Sequence, residues 1–415
     1  MSVPLDRLYH FLADCVNHDL IIYRWLPYGS RNLDDLYPLK NYSKRNWANR
    51  PQMVCHDQEH LLYDFYSKEQ VKDQALQLFS KFNLASLATD SVANHCAELH
   101  LRGLLCVFNN YDRTLLLHSE LNSVEVDKFA QSGFVPVYYW SHAIIALDWF
   151  RYAEHDSQLH YNADQVQTDF LIYNRAWSGT REYRLFFIEQ LLNSALQSHC
   201  NVSFNHTDRE HYSTYQFANP DFKISRYDMH LQLKPNTYDA TASADYCAED
   251  YASAGIEVVL ETLFDDSRLH LTEKSLRPIA CGKPFMLMAT AGSLAYLRQY
   301  GFETFQDLID ERYDTIQDPR QRLLAVIAEM SRIAALPVAE KVQLFQRLHE
   351  IAERNRKHFF TKLFALVETE YVKNMQTAMA IMEQHRTDRY KREFKSQSLS
   401  DYKALATLYD QSMQD

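Results

Sequence analysis

Among the charged side chains of residues 256–286, IEVVLETLFDDSRLHLTEKSLRPIACGKPFM, four stand out on an otherwise apolar frame: Glu261, Glu273, Lys274 and Arg277. Carboxylates can grip sugar hydroxyls or exchange protons, and neighbouring cations can neutralise a diphosphate. Thr272 is a suitable N-cap after the acidic loop, which predicts a helix whose first turn carries Glu273 and Lys274 beside backbone N–H groups. Such an end attracts anions, and Lys274 and Arg277 would meet a diphosphate there while Glu273 or Glu261 takes ribose hydroxyls. Pro278 lies deeper and is expected to bend or shorten the helix. The same spacing also suits an ordinary first turn in which Glu273 balances the helix dipole and both cations are solvated.

The eight glycines are Gly29, Gly103, Gly133, Gly179, Gly255, Gly282, Gly292 and Gly301. They form neither a GxGxxG fingerprint nor a GxxxxGK phosphate loop. Nucleotide phosphates would have to be held by charged side chains and a helix N-terminus.

A second concentration of chemistry lies in LLLHSELNS and YYWSHAIIALDWFRYAEHD, which carry His118, Glu120, His142, Asp148, Arg151, His155 and Asp156. His142, Glu120 and Asp148 are the candidates for taking a proton from an attacking hydroxyl. If AIIALDWFRYAEH is helical, His142, Asp148 and Arg151 need not share a face, and Asp148 with Arg151 also reads as an i,i+3 ion pair. His56 and His60, and Cys96 and His100, have a four-residue spacing that fits metal ligands on a helix. Nothing else supports zinc, ordinary surface or core histidines explain the spacing as well, and no metal is expected.

The elements that must position these groups alternate. LLCVFNN, RTLLLHSE and FVPVYYW read as strands, with SVEVDKFAQSG as a helix closed by Gly133; the succession predicts parallel pairing. The pattern restarts near Gln165 with the strand FLIYNRAW, the amphipathic helix TREYRLFFIEQLLNSALQ and the strand CNVSF. IEVVLET, TEKSLRPIAC, PFMLMAT and GSLAYLRQY then give strand, helix, strand, helix, with Gly282 and Gly301 ending the helices. Beyond Pro319 the chain reads as helical to about Phe394.

With 415 residues, 46% of them hydrophobic, two cores and an accessory segment are the natural expectation. A net charge of −11 argues against coating nucleic acid or anionic lipid by bulk attraction. Local patches differ: KNYSKRNWANRP, residues 40–51, holds four basic residues, no acid, and Tyr42 and Trp47, and RTDRYKREFK, residues 386–395, repeats the mixture. Such patches bind phosphates and stack bases, or are simply solvated faces. Seven cysteines without a CxxC pair suit a reducing compartment, and no signal peptide or uninterrupted apolar span of bilayer length is visible, so a cytoplasmic protein without membrane insertion is expected.

ETLFDDSRLHLTEKSLRPIACGKPFMLMATAGSLAYLRQYGFETF, continuing to ERYDTIQDPRQR, resembles the donor-binding half of bacterial and viral GT-B-type glycosyltransferases. The order ET, TEK, a basic residue, Pro, Gly, PF, GF-TF and YD-I-D carries the likeness. It is more loosely similar to the helix-start motif with which α1,3-fucosyltransferases hold a sugar nucleotide. YNRAWSGTREYRLFFIEQLL resembles the matching upstream stretch and supplies Asn174, Arg175, Arg181 and Arg184, although Trp177-Ser178-Gly179 stands where Pro-Arg is commoner. The resemblance spans roughly residues 170–325. It implies that Glu273 and Lys274 belong to a nucleotide-sugar site with Thr272 and Glu261. Arg175, Arg181, Lys274 and Arg277 would then neutralise the leaving UDP or GDP without a metal. HSE-NS and SHA-I-DWFRYA are similar to phage-type glycosyltransferases, some of which decorate modified pyrimidines in viral DNA.

The expected fold is α/β: two Rossmann-like domains in a GT-B-like arrangement, residues 1–165 for the acceptor and 166–335 for the nucleotide sugar, followed by C-terminal helices in 336–415. The expected activity is transfer of a sugar from a nucleotide donor to a hydroxyl, in a hydroxylated pyrimidine of phage DNA or in a surface glycan. A non-catalytic nucleotide- or glycan-binding module on the same fold is the competing class.

Overall fold

The computed structural model describes residues 20–24, 52–56, 67–81, 114–233 and 244–390, with Arg7, Leu8, Phe11, Leu104, Val107 and Phe108. These residues divide into two compact units, one drawn from Pro4–Ser141 and Glu368–Asp415, the other from His142–Val367.

In the first unit β1 (Leu20–Arg24), β2 (Gln52–His56), β3 (Thr114–His118) and β4 (Val135–Tyr138) form a parallel sheet in sequential order. Every residue of β3 is buried, as a strand covered on both faces requires. Helix α1 (Lys68–Lys81) precedes β3, and α2 (Val124–Gln131) joins β3 to β4. Leu104, Val107 and Phe108 are helical, whereas LLCVFNN reads as a strand; a short apolar run does not distinguish the two.

The second unit opens with α3 (Ser141–Trp149), then three 3-10 turns, then β5 (Thr168–Asn174), α4 (Tyr183–Leu192) and β6 (Cys200–Phe204). There follow α5 (Ala248–Ser253), β7 (Ala254–Leu260), α6 (Glu273–Ala280), β8 (Phe285–Met288), α7 (Ser293–Gln299), α8 (Pro319–Ala334), α9 (Val338–Thr361) and the first turn of α10 (Leu363–Tyr390), whose remainder from Glu368 belongs to the first unit. The sheet order is β6-β5-β7-β8, all parallel. From β5 the chain moves to one edge, and from β7 it moves to the other. Strand order therefore reverses between β5 and β7, and it is at such a reversal that parallel sheets form a ligand crevice at the carboxyl ends of their strands.

Helix α9 belongs to this unit because its apolar face closes on α6 and the start of β7. Phe345, Leu348, Ala352 and Phe359 are buried, and a Cβ on Gly255 would lie 2.5 Å from the Phe345 ring, so only glycine allows the approach. In the first unit, Tyr371 of α10 packs with Phe11 and Tyr139, and Asn374 donates to the Tyr138 carbonyl at 2.9 Å. The division at Ser141/His142 and Val367/Glu368 thus differs from the expected boundaries near residues 165 and 335. Amphipathic helices carry no mark of which core they cover.

Lys283 is buried beside the start of β7, donating to the Ala254 carbonyl at 2.7 Å with His349 Nε2 at 3.3 Å. Burial pushes its amine down from 10.5 to about 7. The folded state then binds fewer protons than the unfolded state between these values, so stability rises with pH across about 7 to 10.5. Burial likewise lowers His118 to about 4 and, together with Lys283, His349 to about 3, so stability is lost as pH falls from 6.5 towards those values. Thermal melts should show Tm several degrees lower at pH 5 than at pH 7. Lys283→Met should flatten the rise between pH 7 and 10.

Candidate functional site

The carboxyl ends of β5 and β7 are built around Glu261, fully buried one residue beyond β7. Its carboxylate accepts five hydrogen bonds: from the amides of Thr262, Thr272 and Ser275 and the hydroxyls of Thr272 and Ser275, at 2.6–3.2 Å. Thr272 is the N-cap of α6, with its Oγ1 3.4 Å from the Lys274 amide. Burial works to raise the Glu261 carboxyl, but Lys274 and the Ser275 and Thr272 donors outweigh it and hold the group below its ordinary range. Glu261 is therefore a clamp between strand and helix. Its oxygens are spent on the chain, which departs from the expectation that it grips ribose. Pro278 withholds the amide that would reach the Lys274 carbonyl, and α6 ends two residues later.

Other loops at this end are held in the same way. Asp314 accepts from the Leu294 amide at 3.2 Å in the first turn of α7, where Gly292 has φ 89°. Glu182 accepts from the Tyr215 hydroxyl and the Ala218 and Asn219 amides, and Asp208 from the Trp177 and Ser178 amides. Arginines serve the carbonyls: Arg184 donates to Ala176, Leu260 and Glu261, and Arg322 to Phe264 and Ile316. At the start of α6 the Thr272 and Ser275 amides already go to the Glu261 carboxylate and the Lys274 amide to the Thr272 hydroxyl, contrary to the expectation that this end holds a phosphate. Side chains are left for that task.

Glu273 and Lys274 follow the cap. Lys274 Nζ lies 2.7 Å from Glu273 Oε1 and 3.2 Å from Thr272 Oγ1, and its side chain is 21% exposed. Glu273 is buried, and its Oε2 lies 3.2 Å from His142 Nδ1 in the first turn of α3. That contact has the distance of a charge pair but not the alignment of a hydrogen bond, so the coupling is first electrostatic. Burial alone would raise the Glu273 carboxyl; Lys274 and His142 outweigh it and hold it well below the usual carboxylate range. His270, in the loop before α6, meets the His142 ring edge-on with centroids 5.1 Å apart.

The remaining expected residues scatter. Arg277 is buried and committed: Nη2 pairs with Glu257 at 2.5 Å, Nε donates to the Tyr251 hydroxyl at 3.0 Å, and the guanidinium lies over the Tyr173 ring. It pins α6 to β7 instead of facing a diphosphate. Arg175 and Arg181 follow β5 at the crevice, both half-buried. Asp148 is buried on α3, six residues from His142 and so roughly 120° around the helix axis. Glu120 lies in the other unit, where it accepts from Ser123, the N-cap of α2, at 2.5 Å. Residues 40–51 and the side chains of residues 386–395 lie outside the described residues, as do the side chains of His56, His60, Cys96 and His100.

Asn174, which the resemblance names without a role, closes β5 at the crevice, fully buried, and neither carboxamide atom has a hydrogen-bond partner among the described residues. A polar residue ending the apolar strand TDFLIYN is the signal that marks it. Together, Lys274, Arg175 and Arg181 offer cations, Glu273 and His142 a proton-exchanging pair, and Asn174 a donor and an acceptor.

Removing the clamp tests the architecture. Glu261→Ala strands five donors and should cost at least about 3 kcal/mol in urea denaturation, with Glu261→Gln costing less. No model of a known protein family matches the chain, and no curated protein matches it significantly.

Proposed function

We propose that this protein is a glycosyltransferase that moves a sugar from a UDP- or GDP-linked donor to a hydroxyl acceptor, with the donor held at the crevice of the His142–Val367 unit. The observation that carries this reading is the coincidence of two independent features. A parallel sheet binds ligands where strand order reverses, and that point, between β5 and β7, is where the TEK segment begins α6. The two parallel sheets fit an α/β protein, and their arrangement as a GT-B-like pair of domains is part of the proposal.

Because Glu261 and Asp314 occupy the helix ends at α6 and α7, the leaving diphosphate is neutralised by side chains: Lys274 first, with Arg175 and Arg181. Donor chemistry on this plan calls on no metal from the protein. The acceptor we propose is a hydroxylated pyrimidine in phage DNA, on the strength of the basic, aromatic patches at residues 40–51 and 386–395.

UDP-glucose, UDP-N-acetylglucosamine, GDP-mannose and GDP-fucose should be screened for thermal stabilisation and for consumption. At least one should stabilise the protein, and Lys274→Ala should weaken its binding tenfold or more in calorimetry while the unliganded Tm stays within a few degrees. Silence across the panel overturns the reading, and binding without turnover on any acceptor favours the non-catalytic module. Affinity for hydroxymethylated duplex DNA should fall steeply between 50 and about 200 mM salt. Salt-independent activity on a glycan instead would move the acceptor to a surface polysaccharide.

A further inference from the structure

We infer that His142 is the base that takes the acceptor's proton, and that Glu273 positions His142 instead of gripping the donor's ribose. The inference rests on the glycosyl-transfer reading and assigns roles within that site. His142 is 3% exposed in the first turn of α3, and its Nδ1 faces Glu273 Oε2 at 3.2 Å. Its Nε2 is buried and has no hydrogen-bond partner among the described residues. Two other buried histidines are held differently: His118 and His349 each contact a backbone carbonyl through Nδ1, of Glu120 at 3.1 Å and Phe345 at 2.8 Å, whereas His270 shares with His142 an Nε2 without a hydrogen-bond partner among the described residues. His142 has a carboxylate beside Nδ1 and, among the described residues, no hydrogen-bond partner at Nε2.

A carboxylate beside Nδ1 favours the tautomer with its proton there, which leaves the lone pair on Nε2. Glu273 is held for this role on its other side, where Oε1 takes Lys274 Nζ at 2.7 Å. Both of its oxygens are thus engaged within the chain. Among the described residues, the titratable groups in contact with His142 are Glu273 of α6 and His270 of the preceding loop; Lys274 lies against Glu273, and the Glu261 carboxylate feels both.

In the step, the acceptor O–H gives its proton to His142 Nε2 as the oxygen's electron pair forms the bond to the anomeric carbon. The bond from that carbon to the phosphate oxygen breaks, and its pair leaves on the nucleoside diphosphate, whose charge Lys274 offsets. Glu273 stabilises the imidazolium, which then releases its proton to solvent. One displacement inverts the anomeric configuration.

The experiment compares wild type, His142→Gln, Glu273→Gln and Glu273→Asp in the full chain. It uses whichever of the four nucleotide sugars is consumed with hydroxymethylated duplex DNA or a glycan. Donor affinity is read by calorimetry, turnover by release of UDP or GDP, and folding by thermal melting. His142→Gln should bind the donor within about twofold of wild type and lose turnover by about a thousandfold. Glu273→Gln should keep donor affinity, lower kcat ten- to a hundredfold and move the acid limb of the kcat profile to lower pH. Glu273→Asp should restore that limb in part, and this pair carries the test if His142→Gln melts early. Retained turnover in folded His142→Gln overturns the inference but leaves glycosyl transfer standing, as does Glu273→Gln losing donor affinity with kcat unchanged. A wild type that consumes no donor overturns both.

Discussion

The candidate site depends on one buried carboxylate being satisfied. Glu261 is taken out of water at the end of β7, and an ionised group there is tolerable only if donors surround it. The loop from Thr262 to Ser275 supplies them by folding back, so the need to pair one charge fixes where α6 starts, which way it points and where Glu273 and Lys274 stand. Arg277 completes the attachment one turn later through Glu257. The helix is tied to β7 and the residue after it by hydrogen bonds to Glu261 at its start and by the Arg277–Glu257 ion pair one turn on.

The same physics explains how a chain with eight glycines shapes its crevice. Glycine-rich loops let backbone amides approach a phosphate directly. Here Glu182, Asp208, Glu261 and Asp314 accept from loop amides while Arg184 and Arg322 donate to loop carbonyls. The loops are held by side chains, with a left-handed glycine at Gly179 and Gly292, and many of their amides are already used. A ligand must be met by side chains, which gives Lys274 and Asn174 more weight than the helix dipole has.

Much of the frame was legible because it is local. Apolar runs bounded by polar turns located β3 to β8, and Thr272 with Gly282 bracketed α6. What escaped is the pairing of groups far apart in the chain. Arg277 looks like a free cation until Glu257, 20 residues back, is found beneath it, and Glu261 looks like a ligand until Thr272 and Ser275 return to it. His142 was expected with the acceptor domain because it follows β4, yet it sits in the same compact unit as Glu273. Burial and pairing are long-range properties, and neither residue type nor spacing records them.

The discontinuous unit has a consequence for synthesis. His142–Val367 is one contiguous stretch, so its parts have all left the ribosome once the first turn of α10 has emerged. The other unit is interrupted by it: Phe11 and Tyr139 wait for Tyr371, and the Tyr138 carbonyl waits for Asn374, 236 residues further on. Closing so long a separation comes late in folding. During translation the first-made sheet is the last to be finished, and its aromatic surface stays uncovered until the C-terminal helix arrives.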